Sequence, residues 1–250
     1  MKQQLYGRSH EHFIDDLKYH SRGDPHNQAS NLSDVILGGQ DGLVNVLGVI
    51  LGVAAATHDP RIVLVAGLAA TFAESVSMGA VAYTSTLADA DFYESEKSRE
   101  YRHIREVPHL ERAEIQEIYK NKGFEGELLD HIVDTITANE DVWVAVMMAE
   151  EHQLQPTNRR NALRAALVVG FSAIIGSLIP LVPFAFFSVD ASMLVSVAIT
   201  AMVLFGVGAY KAQKTVGHPG KSGLELAIIG TISALVGYGV GMLFKVPATP

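Results

Sequence analysis

Two carboxylates stand inside long apolar stretches of this chain, and that placement demands a chemical reason. Asp41 lies in Gly38-Gly39-Gln40-Asp41-Gly42, with Asn45 one helical turn beyond it. Glu74 opens the run Glu74-Ser75-Val76-Ser77-Met78-Gly79, with Thr71 just before it. Glu74 and Met78 are four residues apart and so share one helix face. A carboxylate within a membrane span costs about 2.5–3.5 kcal/mol on insertion scales, so it normally faces a bundle interior, a partner or water. Carboxylate oxygen, hydroxyl and thioether on one face suit a partly dehydrated Fe²⁺ or Mn²⁺ ion. Asp41 would also serve as a cap near an interface, and Met78 as ordinary packing. Two intramembrane acids together favour function.

A second set of candidates is water-facing. Between Asp89 and Glu151 there are 17 acidic and 7 basic residues, a net of −10 against −8 for the whole chain. Glu111, Glu114 and Glu117 recur at intervals of three, His103 and Glu106 do likewise, and Glu100 precedes them. The segment closes on Met147-Met148-Ala149-Glu150-Glu151-His152. Carboxylates at such spacing on facing helices can surround a divalent metal. A charge run is also what a solvated helix face looks like, so spacing alone leaves both readings open.

The elements that must carry these residues follow from hydropathy. Five apolar stretches run Val35–Thr57, Ile62–Leu87, Ala162–Phe187, Met193–Ala212 and Leu224–Phe244. Each is about 20 residues or longer, enough to cross a hydrocarbon core of about 30 Å. Charged residues make up 18% of the 250, below the roughly 25% of soluble domains, and they concentrate in the acidic segment. Gly38/Gly42, Gly48/Gly52 and Gly237/Gly241 have helix-packing spacing, which predicts tight contacts and raises the prospect of a subunit interface. An inside N-terminus places ten Lys and Arg near the inner span ends (Lys2, Arg8, Lys18, Arg22, Arg159, Arg160, Arg164, Lys211, Lys214 and Lys221). Only Arg61 and Lys245 fall outside, so the N-terminus and the acidic insert are expected to face the cytosol. The insert reads as helical, with a break at Pro108, helices over His109–Lys122, Glu125–Ala138 and Asp141–Gln153, and a cap at Gly123. The expected organisation is a tail over 1–32, spans one and two over 33–90, the insert over 91–157 and spans three to five over 158–250. The polar N-terminus has no apolar core of a cleavable leader.

The combination of Asp41-Gly42-Leu43, Glu74-Ser-Val-Ser-Met78-Gly79 and the Glu-rich insert ending in Met147-Met148 resembles the vacuolar iron transporter family. Leu178-Ile179-Pro180-Leu181-Val182-Pro183 resembles that family's proline-containing run, and the likeness extends from about Asn31 to the C-terminus. The resemblance implies an all-α polytopic membrane protein with five transmembrane helices and a cytosolic helical metal-binding insert between the second and third spans. It implies a homodimer that exports Fe²⁺ or Mn²⁺ from the cytosol in exchange for protons. Zn²⁺ and Co²⁺ are compatible ions, and no prosthetic group is implied. The membrane is the plasma membrane in a prokaryote and the vacuolar membrane in a eukaryote. Asp41, Glu74 and Met78 would line the pathway, with Asn45 beside them. The family's two Glu-x-x-Glu pairs fall on His103-Ile-Arg-Glu106 and Glu114-Ile-Gln-Glu117, and its Met-Met and following acid on Met147, Met148 and Glu151, with Glu150 adjacent. His103 stands where Glu is expected, which makes Glu100 the alternative ligand if the register is displaced.

Other classes lose ground on composition. There is no cysteine, which removes disulfides, thiolate metal sites, iron–sulfur clusters and Cys nucleophiles. An acidic balance argues against nucleic acid as a partner. The spans contain no HExxH, GxSxG or paired-histidine motif, so an enzyme is not expected. A membrane-anchored metal store or sensor is the alternative to a transporter. His10, His12, His20 and His26 read as a solvated tail with weak metal contacts at most.

Overall fold

The computed structural model describes residues 26–244, with side chains from Leu32 onward. The expectation for His10, His12 and His20 therefore lies outside the described residues, and that for His26 outside the described side chains. Every regular element described is helical: α1 (His26–Thr57), α2 (Pro60–Glu106), α3 (Pro108–Asn121), α4 (Gly126–Thr137), α5 (Glu140–Val146), α6 (Arg160–Leu181), α7 (Val189–Lys214) and α8 (Pro219–Leu243). A π-helical turn, Met147–Glu151, continues α5, and a 3-10 turn, Val182–Ala185, ends α6. Among the described residues five helices are long and apolar enough to cross a membrane, and they contain most of the five stretches expected from hydropathy. Two compact units result, one from residues up to Gly79 together with those from Leu167 onward, the other from Ala80–Ala166.

The first unit is a bundle whose polarity suits lipid. Leu47, Ile50, Val63, Leu181 and Phe184 form its core, while Val76, Phe171, Ile175, Leu194 and Leu235 are mostly exposed. An apolar surface of that extent is stable only against another apolar phase. Backbone polar groups then need internal partners. Thr71 and Ser75 donate to the carbonyls of Gly67 and Thr71 in their own helix. Where Pro180 and Pro183 disrupt the end of α6, serines of α7 take over. Ser196 donates to the Pro180 carbonyl at 2.7 Å and Ser192 to that of Pro183 at 3.0 Å.

Glycine lets the helices approach backbone to backbone. A Cβ at Gly237 or Gly241 would collide with the carbonyl of Gly48 or Gly52 on α1. A Cβ at Gly38 would strike Val169 of α6, and one at Gly176 would strike Gly39. Gly48 and Gly52 thus meet Gly237 and Gly241, and Gly38 and Gly42 meet α6, all within one chain. Their spacing is explained by intrachain packing and needs no subunit interface.

The first two spans join through a two-residue turn. His58, at φ 52°, ends α1 in the left-handed region. The Asp59 carboxylate then accepts from the Arg61 and Ile62 amides and caps α2.

In the second unit Ile104, Ile115, Leu129, Val133, Trp143, Val144, Met147 and Met148 form a small core. Its helices are tied together by Arg112, which donates to Asp134 and Thr137, and by Arg105, which donates to Glu140. Asn139 caps α5 by accepting from the Asp141 and Val142 amides. The helices expected in the insert match α3, α4 and α5 closely, and Gly123 takes φ 94° where a cap was expected.

Replacing Gly237 with Leu should lower the melting temperature of the detergent-solubilised protein by several degrees, since overpacking costs about 1–3 kcal/mol even where side chains can yield. Gly206→Leu, where a Cβ meets nothing within 4 Å, is the control and should leave it unchanged. Equal melting temperatures for wild type and Gly237→Leu would remove the close-packing argument.

Candidate metal centre and intramembrane acid pair

Pro108 organises the centre of the second unit. Proline cannot continue α2, and the chain turns at Val107, where the Val107 amide still donates to the His103 carbonyl at 2.7 Å. The first turn of α3 thereby returns Glu111 to the end of α2, with its Oε1 3.3 Å from His103 Nδ1. Glu100, one turn before His103, is only 2% exposed, and Glu111 only 4%.

The opposite wall comes from the π-helical turn. In a π turn the amide bonds five residues back, as that of His152 does to the Met147 carbonyl. Gln153, at φ 54°, stops the helix there. His152 Nε2 then lies 3.0 Å from Glu100 Oε1. Two groups of three ligands result, Glu100/His103/Glu111 and Glu100/Glu151/His152, each with its ligand atoms within 4.8 Å of one another. Glu100 belongs to both. Its Oε2 is buried and accepts no hydrogen bond. A buried carboxylate oxygen with no donor is costly, and a cation beside it removes the cost.

Electrostatics express the same crowding. Burial, followed by the charges of Glu100, Glu114 and Glu151, pushes the Glu111 carboxyl up from 4.5 to about 7. Burial works against charging His152, but its hydrogen bond to Glu100 and the charges of Glu151, Glu100 and Glu96 prevail and raise it.

In the first unit, Asn45 on α1 donates through Nδ2 to Glu74 Oε1 on α2 at 2.8 Å. Asp41, one turn before Asn45, is close enough to Glu74 for its charge to act on that carboxyl. Asp41, Glu74 and Met78 are half-buried, and Asn45 is exposed. Gly42 lies under Ala173 and Ser177 of α6, which fixes the height of Asp41 on its helix.

Residues 32–242 match the VIT family. The chain belongs to that family. Vacuolar iron transporter 1 of Oryza sativa subsp. japonica is 36% identical over 208 residues, covering 83% of this chain and 82% of its own. Vacuolar iron transporter 1 of Arabidopsis thaliana is 32% identical over 207 residues, covering 82% of each. The vacuolar iron transporter of Plasmodium falciparum (isolate 3D7) is 30% identical over 241 residues, covering 91% and 88%.

In this VIT-family chain the structure brings together Glu100, His103 and Glu151 from the ligands the resemblance implies, Glu111 from the acids noted for their spacing, and His152. Glu114 is exposed, yet its charge acts on both Glu111 and Glu151. Glu106 and Glu117 are exposed and belong to neither group. Glu150 pairs with Lys122. Met147 and Met148 are buried in the apolar core. The acid pairs that converge are thus displaced one turn from Glu106 and Glu117, to Glu100-x-x-His103 and Glu111-x-x-Glu114. The signal for Glu111 is the buried stripe: Ile115, four residues on, is fully buried and carries Glu111 on its face. For His152 there is no comparable signal, because the π turn that aims it follows from no spacing rule.

The raised groups set a pH dependence. With its carboxyl pushed up, Glu111 contributes stability that is fully present below about pH 4.5 and is lost as pH rises through about 7. His152 is raised and has the same sign. A divalent cation needs both groups deprotonated, so its stabilising effect should be small at pH 5 and grow towards pH 8. Thermal melts with and without Zn²⁺ across that range check this; a Zn²⁺ effect independent of pH would contradict it.

Proposed function

We propose that this protein moves Fe²⁺, with Mn²⁺ as a second cargo, out of the cytosol across a membrane in exchange for protons. The observation that carries the reading is the convergence of Asp41, Asn45 and Glu74 from two adjacent spans inside an otherwise apolar bundle. The printed names of its relatives, vacuolar iron transporters, support iron as the cargo.

Two neighbouring carboxyls in a medium of low dielectric can hold either a proton or a cation between them. That alternation is the elementary step of an exchanger. A cation arriving at Asp41 and Glu74 displaces a proton, and a proton arriving from the far side releases the cation. Asn45 holds Glu74 Oε1 and so orients the carboxylate in both states. Met78, one turn along α2, offers a thioether that binds weakly enough to let the ion leave.

Asn45 is exposed on a span, where an uncovered amide is unfavourable in lipid. A second copy of the chain covering this face satisfies it, in keeping with the homodimer that the family resemblance implies. The acidic insert, which the ten-to-two distribution of Lys and Arg assigns to the cytosolic side, would raise the metal concentration on that side of the membrane.

The test is uptake of Fe²⁺ and Mn²⁺ into proteoliposomes under an imposed pH gradient. Flux should follow the gradient and fall at least about tenfold in Asp41→Asn, because the amide cannot exchange a proton. Full flux in Asp41→Asn would end the mechanism. Metal binding without flux of either ion would favour a membrane-anchored store or sensor, the reading to which the two ligand groups of the insert also lend themselves.

A further inference from the structure

We infer that the apolar cavity between α1, α7 and α8 holds one acyl chain of a phospholipid, and that Asp190 at its mouth receives the ammonium headgroup of phosphatidylethanolamine. The inference goes beyond the exchange reaction, because it assigns a lipid site to a part of the bundle that carries neither Asp41 nor Glu74.

The cavity has a volume of about 350 Å³. Its walls are Leu51 of α1, Met193, Leu194 and Val197 of α7, and Ala234 and Leu235 of α8. Leu51 and Ala234 belong to the buried core of the bundle, with Met193 and Val197 packed against that core. Leu194 and Leu235 are exposed and form the outer lips. The cavity therefore reaches inward from the lipid-facing surface instead of lying flat on it.

Its long dimension follows from the two antiparallel helices. Asp190 and Tyr238 mark one end, Val197 and Thr231 the other. The ends are about 10 Å apart along each helix, at 1.5 Å per residue. A helix segment of that length from a second copy, about 10–12 Å across, needs more than about twice the available volume. One acyl chain lying along the cleft does not. The Thr231 hydroxyl donates to the Ala227 carbonyl at 2.8 Å, so the inner end offers a chain only apolar contact.

Charge chooses the headgroup. Asp190 stands in the first turn of α7, at the end opposite Lys211 and Lys214. Its side chain is 78% exposed, and His58 Nε2 lies 3.3 Å from its Oδ1. Among the described residues no Lys or Arg pairs with it. His58 offers one N–H to one oxygen, which leaves the carboxylate able to accept at the other. A primary ammonium brings three N–H donors to such an acceptor, and a choline headgroup brings none. Phosphatidylglycerol would set a second negative charge beside the first. Tyr238, at the same end, supplies the amphipathic ring that suits headgroup level.

Native mass spectrometry of the full-length protein in detergent tests this, with equal amounts of phosphatidylethanolamine, phosphatidylcholine and phosphatidylglycerol carrying the same acyl chains. One phosphatidylethanolamine per chain should be retained, in about threefold preference to either competitor, the scale of an exposed ion pair. Asp190→Asn keeps the shape of an exposed side chain and should bring phosphatidylethanolamine down to the level of phosphatidylcholine, with the lipid-free melting temperature unchanged. Val197→Phe fills the inner end and should lower retention of all three lipids. Equal retention of the three by the wild type, or a preference that survives Asp190→Asn, overturns the proposal. So does a Val197→Phe chain that keeps its lipid, and a change in its oligomeric mass would identify a second copy as the occupant instead. Because no flux is read, a protein that selects this lipid but transports no metal would sink the exchanger and leave the lipid site standing.

Discussion

A carboxylate taken out of water must find a donor, a proton or a cation, and both units of this protein are arranged around that requirement. In the apolar bundle Glu74 receives one donor, Asn45, and shares the rest of its need with a second acid. In the insert Glu100 has His152 on one oxygen and nothing on the other. Neither carboxylate is neutralised by Lys or Arg among the described residues, which is how a structural acid is usually settled. Partial satisfaction is what distinguishes a place where ions come and go from a salt bridge that holds a fold together.

The rest of the insert follows from keeping Glu100 buried. The apolar core of Ile104, Ile115, Val133 and Trp143 excludes water from one side of it. The turn at Pro108 supplies Glu111, and the π turn supplies His152. Surface pairs such as Arg105 with Glu140 fasten the helices around these groups. Each exposed pair contributes little alone, about 0–1 kcal/mol, so the buried core rather than the ion pairs sustains the unit.

Much of this is legible in the sequence, and for physical reasons. Spans follow from apolar length, because lipid leaves the backbone few alternatives to helix. The α2–α3 break follows from Pro108, and the partnership of α1 with α2 from the acids they carry. What escapes is what depends on tertiary packing. Glu111, Glu114 and Glu117 lie near one another on α3, and only packing around Ile115 decides that Glu111 turns inward. His152 depends on a helix widening by one residue over Met147–Glu151, an event with no compositional mark. The glycine pairs carry a clear spacing signal, but spacing cannot say whether a helix meets its own chain or another copy. Here Gly48 and Gly52 meet Gly237 and Gly241 of the same chain.

Those glycine seams also divide the bundle mechanically. α1 touches α6 and α8 through carbonyls and Cα atoms, and α7 meets α8 in the same manner at Gly208 and Gly223. Such contacts have no rotamers to rearrange, so any sliding along them has to break the whole seam at once. α2 shares in this: Gly170 of α6 lies against the Ser75 carbonyl and the Gly79 Cα of α2, while at Gly67 α2 meets the side chains of Leu181 and Ile50, which can repack. Asp41, beside Gly42, and Glu74, beside Ser75, are therefore both set against the backbone of α6, which holds the two acids at fixed heights on their helices.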